Sequence, residues 1–257
     1  MRIATFNIND VNKRLDNLLD WLAETEPDIA CLQELKAEQG AFPVEPLRAL
    51  GYEAAWQGQR TWNGVAILVR HAQPVPTRSV LPGDPADSQA RYLEAAARGV
   101  LVASLYLPNG NPWPGPKFDY KLAWFDRLIA HAGALLASGA PVILAGDYNV
   151  VPTEADIYPN HSWQDDALLS PQARTAYARL LEQGWVDGLR TIHPQGPLWT
   201  FWSYRRARWP ADKGLRLDHL LVSPALADSL RDGGVDRWTR GEPNASDHAP
   251  AWIELDL

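Results

Sequence analysis

Apolar residues recur along the chain in short runs that have the length and composition of β-strands. Each run is rich in Val, Ile, Leu or Ala and lies close to turn-forming residues, which is typical of strands separated by turns. The segments predicted to be strands are residues 2–6, 28–32, 64–69, 100–107, 142–145, 217–222 and 249–257.

Three segments between these runs carry the period of amphipathic helices, with apolar residues on one face. The first helix is predicted from Leu15, Leu18, Leu19 and Leu22, and the second from Phe118, Leu122, Phe125 and Ile129, before Gly139 and Pro141 end it. The third is predicted from Ser170 as N-cap, Pro171 in the first turn, Tyr177, Leu180 and Leu181 on the buried face, and Gly184 at the end.

The alternation of strands and helices from end to end predicts an α/β fold in a single domain, residues 1–257. The Pro-rich stretches 74–85 and 108–116 are predicted to be loops. Two apolar segments, IATFN (3–7) and ILAGDYN (143–149), both end in a carboxamide or carboxylate. Two halves of similar design suit two sheets packed face to face.

Composition narrows the class of protein further. The single cysteine, Cys31, excludes a disulfide scaffold and a cysteine-rich zinc module and is typical of a reducing compartment. No apolar run approaches the roughly 20 residues of a membrane span, and Met1 leads into a strand-like segment rather than a signal peptide. We therefore expect a cytoplasmic protein that does not enter a membrane. A monomer is the default expectation for a compact chain of this kind.

The net charge also limits the function. A formal charge of −7 argues against a protein that coats nucleic acid through its overall field. It does not exclude a local basic groove on one face of an otherwise acidic molecule.

Polar side chains lie where several predicted strands begin or end. The residues that follow apolar runs are Asn7, Glu34, Asn109, Asp147 and Asn149, and those at or next to the start of a run are Asp218 and His248. If the last strands run antiparallel to the first group, all these side chains gather along one edge of the sheets, where a cleft would form.

The chemistry of this set predicts a metal-dependent hydrolytic site. Glu34, Asp147 and Asp247 are hard oxygen ligands, and Asn7 and Asn149 add neutral oxygens, a mixture that suits Mg²⁺ or Mn²⁺. A carboxylate such as Asp218 can orient an imidazole such as His248 and stabilise its charged form. A metal, a carboxylate base and a charged histidine are the groups needed for attack of water on a phosphodiester.

Each of these residues alone also has an ordinary structural explanation. Asn7 and Asn109 could be turn residues, Asp147 to Asn149 a tight turn, Asp218 a satisfied buried carboxylate and His248 a histidine that starts a strand. These explanations are independent of one another, whereas one site accounts for all the residues together.

Seven motifs, in order along the chain, resemble those of the exonuclease III family of apurinic/apyrimidinic endonucleases. They are TFNIN (5–9), LQE (32–34), GVA (64–66), YLPNG (106–110), GDYN (146–149), GLRLD (214–218) and SDHAP (246–250). The resemblance implies a four-layer α/β/β/α sandwich of two packed mixed sheets, DNase I-like. It also implies Mg²⁺-dependent hydrolysis 5′ to abasic sites in duplex DNA, with 3′–5′ exonuclease and 3′-phosphatase activity. Leu35, Tyr148 and His219 depart from the family's usual residues without removing a catalytic group.

The resemblance also implies a role for each matching residue. Glu34 would be the principal metal ligand, with Asn7 nearby and Asp247 contributing. Asp147 would orient or deprotonate the attacking water, or donate a proton to the leaving group. The catalytic set is then Tyr106, Asp147, Asn149, Asp218 and His248, and the metal set is Asn7, Glu34, Asp147, Asn149, Asp247 and His248.

The substrate contacts are expected in the loop around residues 200–208 and at Asn109. Phe201 would be the wall of a pocket for a baseless sugar, with Trp202 beside it and Leu215 as its apolar partner. Alternatively, Trp202 is a core aromatic. Arg205, Arg206 and Arg208 would contact the DNA backbone, unless they are simply a solvated charged face.

Three hypotheses follow for the function. The first is a Mg²⁺-dependent repair nuclease acting on duplex DNA with abasic or 3′-blocked sites. The second is a related phosphoesterase acting on RNA or a small phosphorylated molecule. The third, a DNA-binding protein with a decayed site, conflicts with the intact set of water-activating carboxylates.

Overall fold

Side chains alternate between two buried faces along the central strands, which is why these strands lack the polar face of an exposed sheet. In the computed structural model, which describes residues 1–163 and 165–257, two six-stranded sheets result. The strands are β1 (Arg2–Asn7), β2 (Ile29–Gln33), β3 (Tyr52–Gln57), β4 (Val65–Arg70), β5 (Val75–Arg78), β6 (Tyr92–Ala97), β7 (Val100–Tyr106), β8 (Val142–Asp147), β9 (Val186–Asp187), β10 (Asp218–Val222), β11 (Leu230–Val235) and β12 (Ala251–Leu255).

The helices found in the described residues cover the outer faces of the sheets or connect strands. They are α1 (Leu15–Thr25), α2 (Val44–Ala49), α3 (Pro116–Ala137), α4 (Pro171–Glu182), α5 (Gly188–Ile192) and α6 (Pro224–Ala227). No described helix is both long enough and apolar enough to cross a membrane.

Both sheets are mixed. The first has the strand order β11-β12-β1-β2-β4-β3 and the second β5-β6-β7-β8-β10-β9. β1 pairs with β2, and β7 with β8, in parallel, whereas the remaining pairs are antiparallel. The predicted α/β/β/α sandwich of two packed mixed sheets is confirmed.

The period-2 alternation assigns each side chain to one layer of the sandwich. On β1, Ile3 lies in the core between the two sheets, whereas Ala4 and Phe6 face α1. On β8, Ile143 lies between the sheets, whereas Leu144 faces α3 and α4. Burying one such Leu or Ile side chain contributes about 1.5–3 kcal/mol to folding, so three apolar layers hold the molecule together.

The predicted helices are confirmed, and α4 begins as expected. The Ser170 hydroxyl accepts a hydrogen bond from the backbone N–H of Ala173, and Pro171 is the first helical residue. On α1, Trp21 is also buried beside Leu18 and Leu22, an inward position that the leucine pattern did not include.

The prediction of a loop over residues 74–85 was wrong in part. Residues Val75–Arg78 form an exposed strand at the edge of the second sheet. Pro76 fits there because an edge strand leaves one row of backbone groups unpaired, so a missing N–H costs little. The sequence patterns also missed β3, β6, β9 and β11, since β6 has the composition of a helix and β9 has only two residues.

Candidate active site between the two sheets

Several predicted site residues lie at one end of the strands and face the space between the sheets. Asn7, Tyr106 and Asp147 are the last residues of β1, β7 and β8. Because β10 runs antiparallel to β8, its first residue, Asp218, is paired with Asp147. Each has the same parity as the inward-facing residues of its strand, so the side chains converge at one open end of the sandwich.

Glu34, directly after β2, is held from both sides. Its Oε1 accepts hydrogen bonds from Asn7 Nδ2 (2.9 Å) and the Tyr106 hydroxyl (2.8 Å), and its Oε2 lies 2.9 Å from Lys36 Nζ. Burial alone would raise the pKa of Glu34, but the Lys36 charge and the donated hydrogen bonds outweigh it and lower the pKa. Glu34 is therefore an anion, ready to bind a cation.

Asp147 is buried and shares a donor with Glu34. Its Oδ2 accepts a second hydrogen bond from Asn7 Nδ2 (3.0 Å), and its Oδ1 accepts one from the backbone N–H of Asn149 (2.8 Å). Burial raises the pKa of Asp147, the Asp218 and Glu34 carboxylates raise it further, and His248 opposes them. A carboxyl group with a raised pKa is a better proton acceptor than an ordinary aspartate.

His248 lies between two carboxylates. Its Nδ1 is 2.7 Å from Asp218 Oδ2, and its Nε2 is 3.8 Å from Asp147 Oδ2. Burial lowers the pKa of His248, but the Asp218 and Asp147 carboxylates raise it more, so the imidazole is held in its charged form. The Thr200 hydroxyl donates to the same Asp218 oxygen (2.6 Å) and helps to orient the carboxylate.

Asn149 and Asn109 form the floor of the site next to Asp147. Asn109 Nδ2 donates to Asn149 Oδ1 (3.0 Å), and Asn149 Nδ2 donates to the Leu107 carbonyl (2.9 Å). Both Asn149 and Glu34 have a left-handed backbone, with φ of 48° and 52°. Asparagine adopts this conformation readily, whereas for Glu34 it is unfavourable and is maintained by the surrounding hydrogen bonds.

Asp247 is linked to the site through two residues that the sequence analysis did not single out. Asn9 Nδ2 donates to Asp247 Oδ1 (2.9 Å), and Lys36 Nζ donates to Asn9 Oδ1 (2.6 Å). Asn9 lies in the TFNIN motif and Lys36 lies two positions after Glu34. Asn9 and Lys36 could have been identified as site residues from the sequence, because each lies within or beside a motif that contains a predicted site residue.

The donor set fits a hard divalent cation. The carboxylates of Glu34, Asp147 and Asp247 and the amide oxygens of Asn7 and Asn149 are oxygen donors of the kind that Mg²⁺ or Mn²⁺ takes. In addition, Asp218 Oδ1 is buried and has no hydrogen-bond partner in the described part of the chain.

The donor set offers two positions for a cation, one beside His248 and one beside Glu34. Asp147, Asp218 and His248 bring ligand atoms within 4.8 Å of one another. A protonated imidazole repels a cation, so the Glu34 side of the site is the better position. The same argument favours charge stabilisation over metal ligation for His248.

The predicted pocket wall lies beside the catalytic histidine. The Phe201 ring is half-buried, and its centroid lies 4.9 Å from that of His248. Residue 201 reaches this position because backbone bridges pair it with residues 215 and 248.

Two other residues expected at the pocket are buried. Trp202 is fully buried, with its indole N–H donating to Asp212 and its ring edge-on to Trp209, so the prediction of a substrate contact was wrong and the core alternative holds. Leu215 is also buried, in the apolar cluster that Phe201 packs against. It supports Phe201 from below rather than lining the pocket.

Arg205, Arg206 and Arg208 line one side of a surface cleft of about 400 Å³. Ser162, Trp163, Asp165 and Asp166 lie on the other side. Arg205 and Arg206 are exposed, and the Arg208 guanidinium stacks on the Tyr158 ring at 4.9 Å. The arginines are therefore accessible to a polyanion next to the catalytic end of the sandwich.

A buried carboxylate, an imidazolium oriented by a second carboxylate, and hard oxygen donors between two packed sheets define a metal-dependent phosphoesterase. The sequence profile of the Endonuclease/Exonuclease/phosphatase family matches residues 4–248. The chain belongs to this family.

Curated relatives and solved structures agree with this assignment. The chain is 32% identical to exodeoxyribonuclease III of Haemophilus influenzae (99% of this chain, 100% of that protein). It is 29% identical to DNA repair nuclease APEX1 of Danio rerio (99% and 82%). It superposes with a TM-score of 0.95 on the 3′ phosphatase NExo from Neisseria bound to product DNA hairpin (40% identity) and on an AP endonuclease from Archaeoglobus fulgidus (33%), each covering 100% of both chains. The predicted family is confirmed.

Proposed function

We propose that this protein is a Mg²⁺-dependent DNA repair nuclease that hydrolyses the phosphodiester bond 5′ to abasic sites in duplex DNA. We propose the same site for 3′–5′ exonuclease and 3′-phosphatase activity. The observation that carries the proposal is the network in which Asn7 joins Glu34 to Asp147 and His248 lies between Asp147 and Asp218. All three activities break the bond between phosphorus and a 3′ oxygen, so one set of groups serves them all.

In this mechanism, Asp147 acts on the attacking water. Its buried carboxylate orients the water and accepts its proton as the oxygen bonds to phosphorus, or it later protonates the leaving 3′ oxygen. The raised pKa suits either role. Asn7 and the Asn149 backbone hold both Asp147 oxygens, so the carboxylate needs no reorientation during the reaction.

Charge on the phosphoryl oxygens is stabilised by fixed groups. The His248 imidazolium, held by Asp218, supplies a positive charge in a dry site where electrostatic interactions are strong. Asn149 binds a phosphoryl oxygen, and the Tyr106 hydroxyl contacts the phosphate or leaving oxygen. Glu34, with Asn7 and Asp247, would hold Mg²⁺, which when bound neutralises phosphate charge and polarises the reacting oxygens.

Selection of the lesion is assigned to Phe201. A nucleotide without a base has little stacking to lose when it leaves the helix, and a small apolar wall next to His248 leaves no room for a base. Arg205, Arg206 and Arg208 would bind backbone phosphates, and Asn109 would contact the substrate beside Asn149.

Residues from both halves of one chain build the site. This supports a single domain that acts as a monomer. The cytoplasmic location stays a prediction.

The alternative is 3′-end processing as the main activity. Two solved structures of NExo from Neisseria, described as a 3′ phosphatase and a 3′–5′ exonuclease, are each 40% identical to this chain over its whole length. The same catalytic groups serve either substrate. The choice between them depends on how the loops around Phe201 and the arginine cleft receive the DNA.

The deciding experiment compares four substrates with Mg²⁺ and with EDTA. They are a duplex with one internal abasic-site analogue, a nicked duplex with a 3′ phosphate, an intact duplex and a generic phosphate monoester. Metal-dependent incision 5′ to the lesion supports the main proposal, and removal of the 3′ phosphate without incision supports the alternative. Turnover of the monoester alone, or of an RNA oligonucleotide added as a fifth substrate, would refute both DNA activities.

A further inference from the structure

Lys121 is a buried lysine on α3, at the end that faces the active site. Its side chain is fully buried, and no carboxylate within the described residues lies within ion-pair distance of it. Burial lowers the pKa of Lys121, and the more distant carboxylates of Asp147 and Asp166 raise it. A buried ammonium without a paired anion costs free energy, so an apolar residue would be expected at this position.

The ammonium instead binds three backbone carbonyls. Lys121 Nζ donates to the carbonyl oxygens of Asn109 (3.0 Å), Asn149 (2.6 Å) and Ala167 (3.1 Å). Asn109 belongs to the loop between β7 and α3, whereas Asn149 and Ala167 lie near the two ends of the connection between β8 and α4. All three N–H groups of one side chain are therefore used to join these segments.

The aliphatic part of the Lys121 side chain is also tightly packed. A Cβ added at Gly110, which has φ of 89°, would lie 2.7 Å from Lys121 Cδ and 3.1 Å from Ala167 Cβ. Gly110 belongs to the YLPNG motif, so the motif's glycine allows the loop to close over the lysine. The side chains of Asn109 and Asn149 then meet at 3.0 Å in the site.

We propose that Lys121 is a positioning residue that holds Asn109 and Asn149 at the spacing needed to bind the phosphoryl group. The inference rests on the proposed function, because it assigns the phosphate contact to Asn149. Lys121 touches neither substrate nor metal ligand side chains; it acts through the backbone of the two asparagines. Without it, three carbonyls lose their donor and the loops that carry the asparagines separate.

The test is a double-mutant cycle with Lys121→Met and Asn149→Ala, measured as kcat and KM on the DNA substrate that the wild-type protein cleaves. A displacement of about 1 Å at a reacting group costs about 100-fold, so Lys121→Met should lower kcat by about that factor with KM nearly unchanged. In the Asn149→Ala background the same change should cost less than about threefold, because the group it positions is absent.

A control separates positioning from lost stability. Leu128→Ala removes buried apolar volume from the same helix, two turns after Lys121, and leaves the three Lys121 hydrogen bonds in place, so it should lower the melting temperature yet leave kcat within about twofold. If Lys121→Met does not fold, Lys121→Gln, which keeps two N–H donors, takes its place in the cycle. Equal losses of kcat in both backgrounds would overturn the proposal.

A wild-type protein that cleaves none of the DNA substrates refutes the proposed function rather than this inference. Hydrogen exchange of the Asn149 side-chain amide, followed by NMR without substrate, then decides the role of Lys121. Faster exchange in Lys121→Met than in Leu128→Ala supports the positioning role. Equal exchange in both variants rejects it.

Discussion

Asp147 and His248 are held in place by residues distant in the chain. Asn7 reaches Asp147 from the other sheet. Asp218, on β10 of the second sheet, reaches His248, which precedes β12 of the first sheet. Neither side chain can turn away from the site without breaking a buried hydrogen bond, which costs about 1–3 kcal/mol for the group left unpaired. This rigidity is what a group acting in the transition state requires.

The first prediction concerns these two residues. Asp147→Asn or His248→Ala should lower kcat by about 10²–10⁴-fold, because each removes a proton-transfer or charge-stabilising group. DNA affinity should be nearly kept, as measured by fluorescence anisotropy with a lesion-bearing duplex. Equal losses in affinity and in turnover would show that the two groups bind the ground state instead.

Phe201 should control discrimination between damaged and intact DNA. Phe201→Ala removes the wall beside His248 and opens space for a base, so the ratio of kcat/KM for abasic over intact duplex should fall by about tenfold. Trp202→Phe is the control, because Trp202 is buried away from the site. An unchanged ratio in Phe201→Ala would place the pocket elsewhere.

Two of the family departures, Tyr148 and His219, contact each other. Their rings meet edge to face at 5.3 Å, and His219 Nδ1 lies 3.3 Å from the Tyr177 hydroxyl. Burial and, to a smaller extent, the Arg216 charge lower the pKa of His219 to about 3. His219 is thus neutral in the folded protein, and the two unusual residues form one aromatic cluster behind the catalytic strand.

This histidine should make stability fall in mild acid. The unfolded chain protonates it below its ordinary pKa of 6.5, whereas the folded chain does so only near pH 3, so its contribution is complete above pH 6.5 and is lost as the pH falls toward 3. His219→Phe should flatten the dependence of the urea midpoint on pH between about pH 7 and pH 5. Parallel curves for the two proteins would mean that His219 has the same pKa in the folded and the unfolded chain.

At the scale of elements, the packing of β7 against β8 depends on a glycine. A Cβ added at Gly146 would lie 1.9 Å from the Leu105 carbonyl oxygen, so no side chain fits between the two parallel strands. Gly146 directly precedes Asp147, and this close approach therefore fixes the position of the catalytic carboxylate relative to Tyr106.

Gly146→Ala should therefore be strongly destabilising. Overpacking in a core costs about 1–3 kcal/mol, and a clash with backbone that cannot move places this variant at or above the upper end of that range. Gly40→Ala, at a position with nothing within 4 Å, should leave the urea midpoint unchanged. A small effect at Gly146 would show that the two strands can separate.

The elements also show which parts of the fold the sequence could predict. Strands with continuous apolar runs, such as β2 and β4, were predicted because both of their faces are buried. β6 and β11 were missed because the Ala and Glu of one and the Gly and Asp of the other do not favour strands. They are strands because β7 and β12 offer them partners, an interaction between segments that no local pattern contains.

For the whole molecule, an acidic net charge occurs together with a local cluster of arginines at one cleft. The chain carries a formal charge of −7, yet three arginines line the cleft at the catalytic end. The proposed DNA-binding role of the cleft requires this separation, because local positive charge attracts a polyanion that the net charge of the molecule repels.

Removal of two of these arginines should weaken the dependence of DNA binding on salt. Each phosphate contact contributes about 0.9 to the slope of log K against log salt, so Arg206→Ala with Arg208→Ala should reduce its magnitude by about 1.8. Arg179→Ala with Arg231→Ala changes the net charge equally at exposed positions outside the cleft and should leave the slope unaltered. An unaltered slope in both double variants would show that the cleft arginines do not contact DNA phosphates and are only a solvated charged face.

The sequence by itself determined the class of fold and most of the residues that converge in the candidate active site. Apolar runs and helical periods are local patterns, so they can be identified from the sequence alone. The polar side chains of the motifs TFNIN, LQE, GDYN and SDHAP stand next to apolar runs, so their position at strand ends could be identified in the same way. These motifs also carried the family assignment, which the comparisons confirm.

The tertiary structure alone decided how these residues work. The charge on His248 depends on Asp218 and Asp147, and the Lys121 ammonium depends on carbonyls from two loops. Likewise, Trp202 is buried whereas Phe201, its neighbour, is accessible. Electrostatic energy and burial vary with distance in space, and side chains in contact at this site, such as Asn9 and Asp247, lie up to 238 positions apart in the chain.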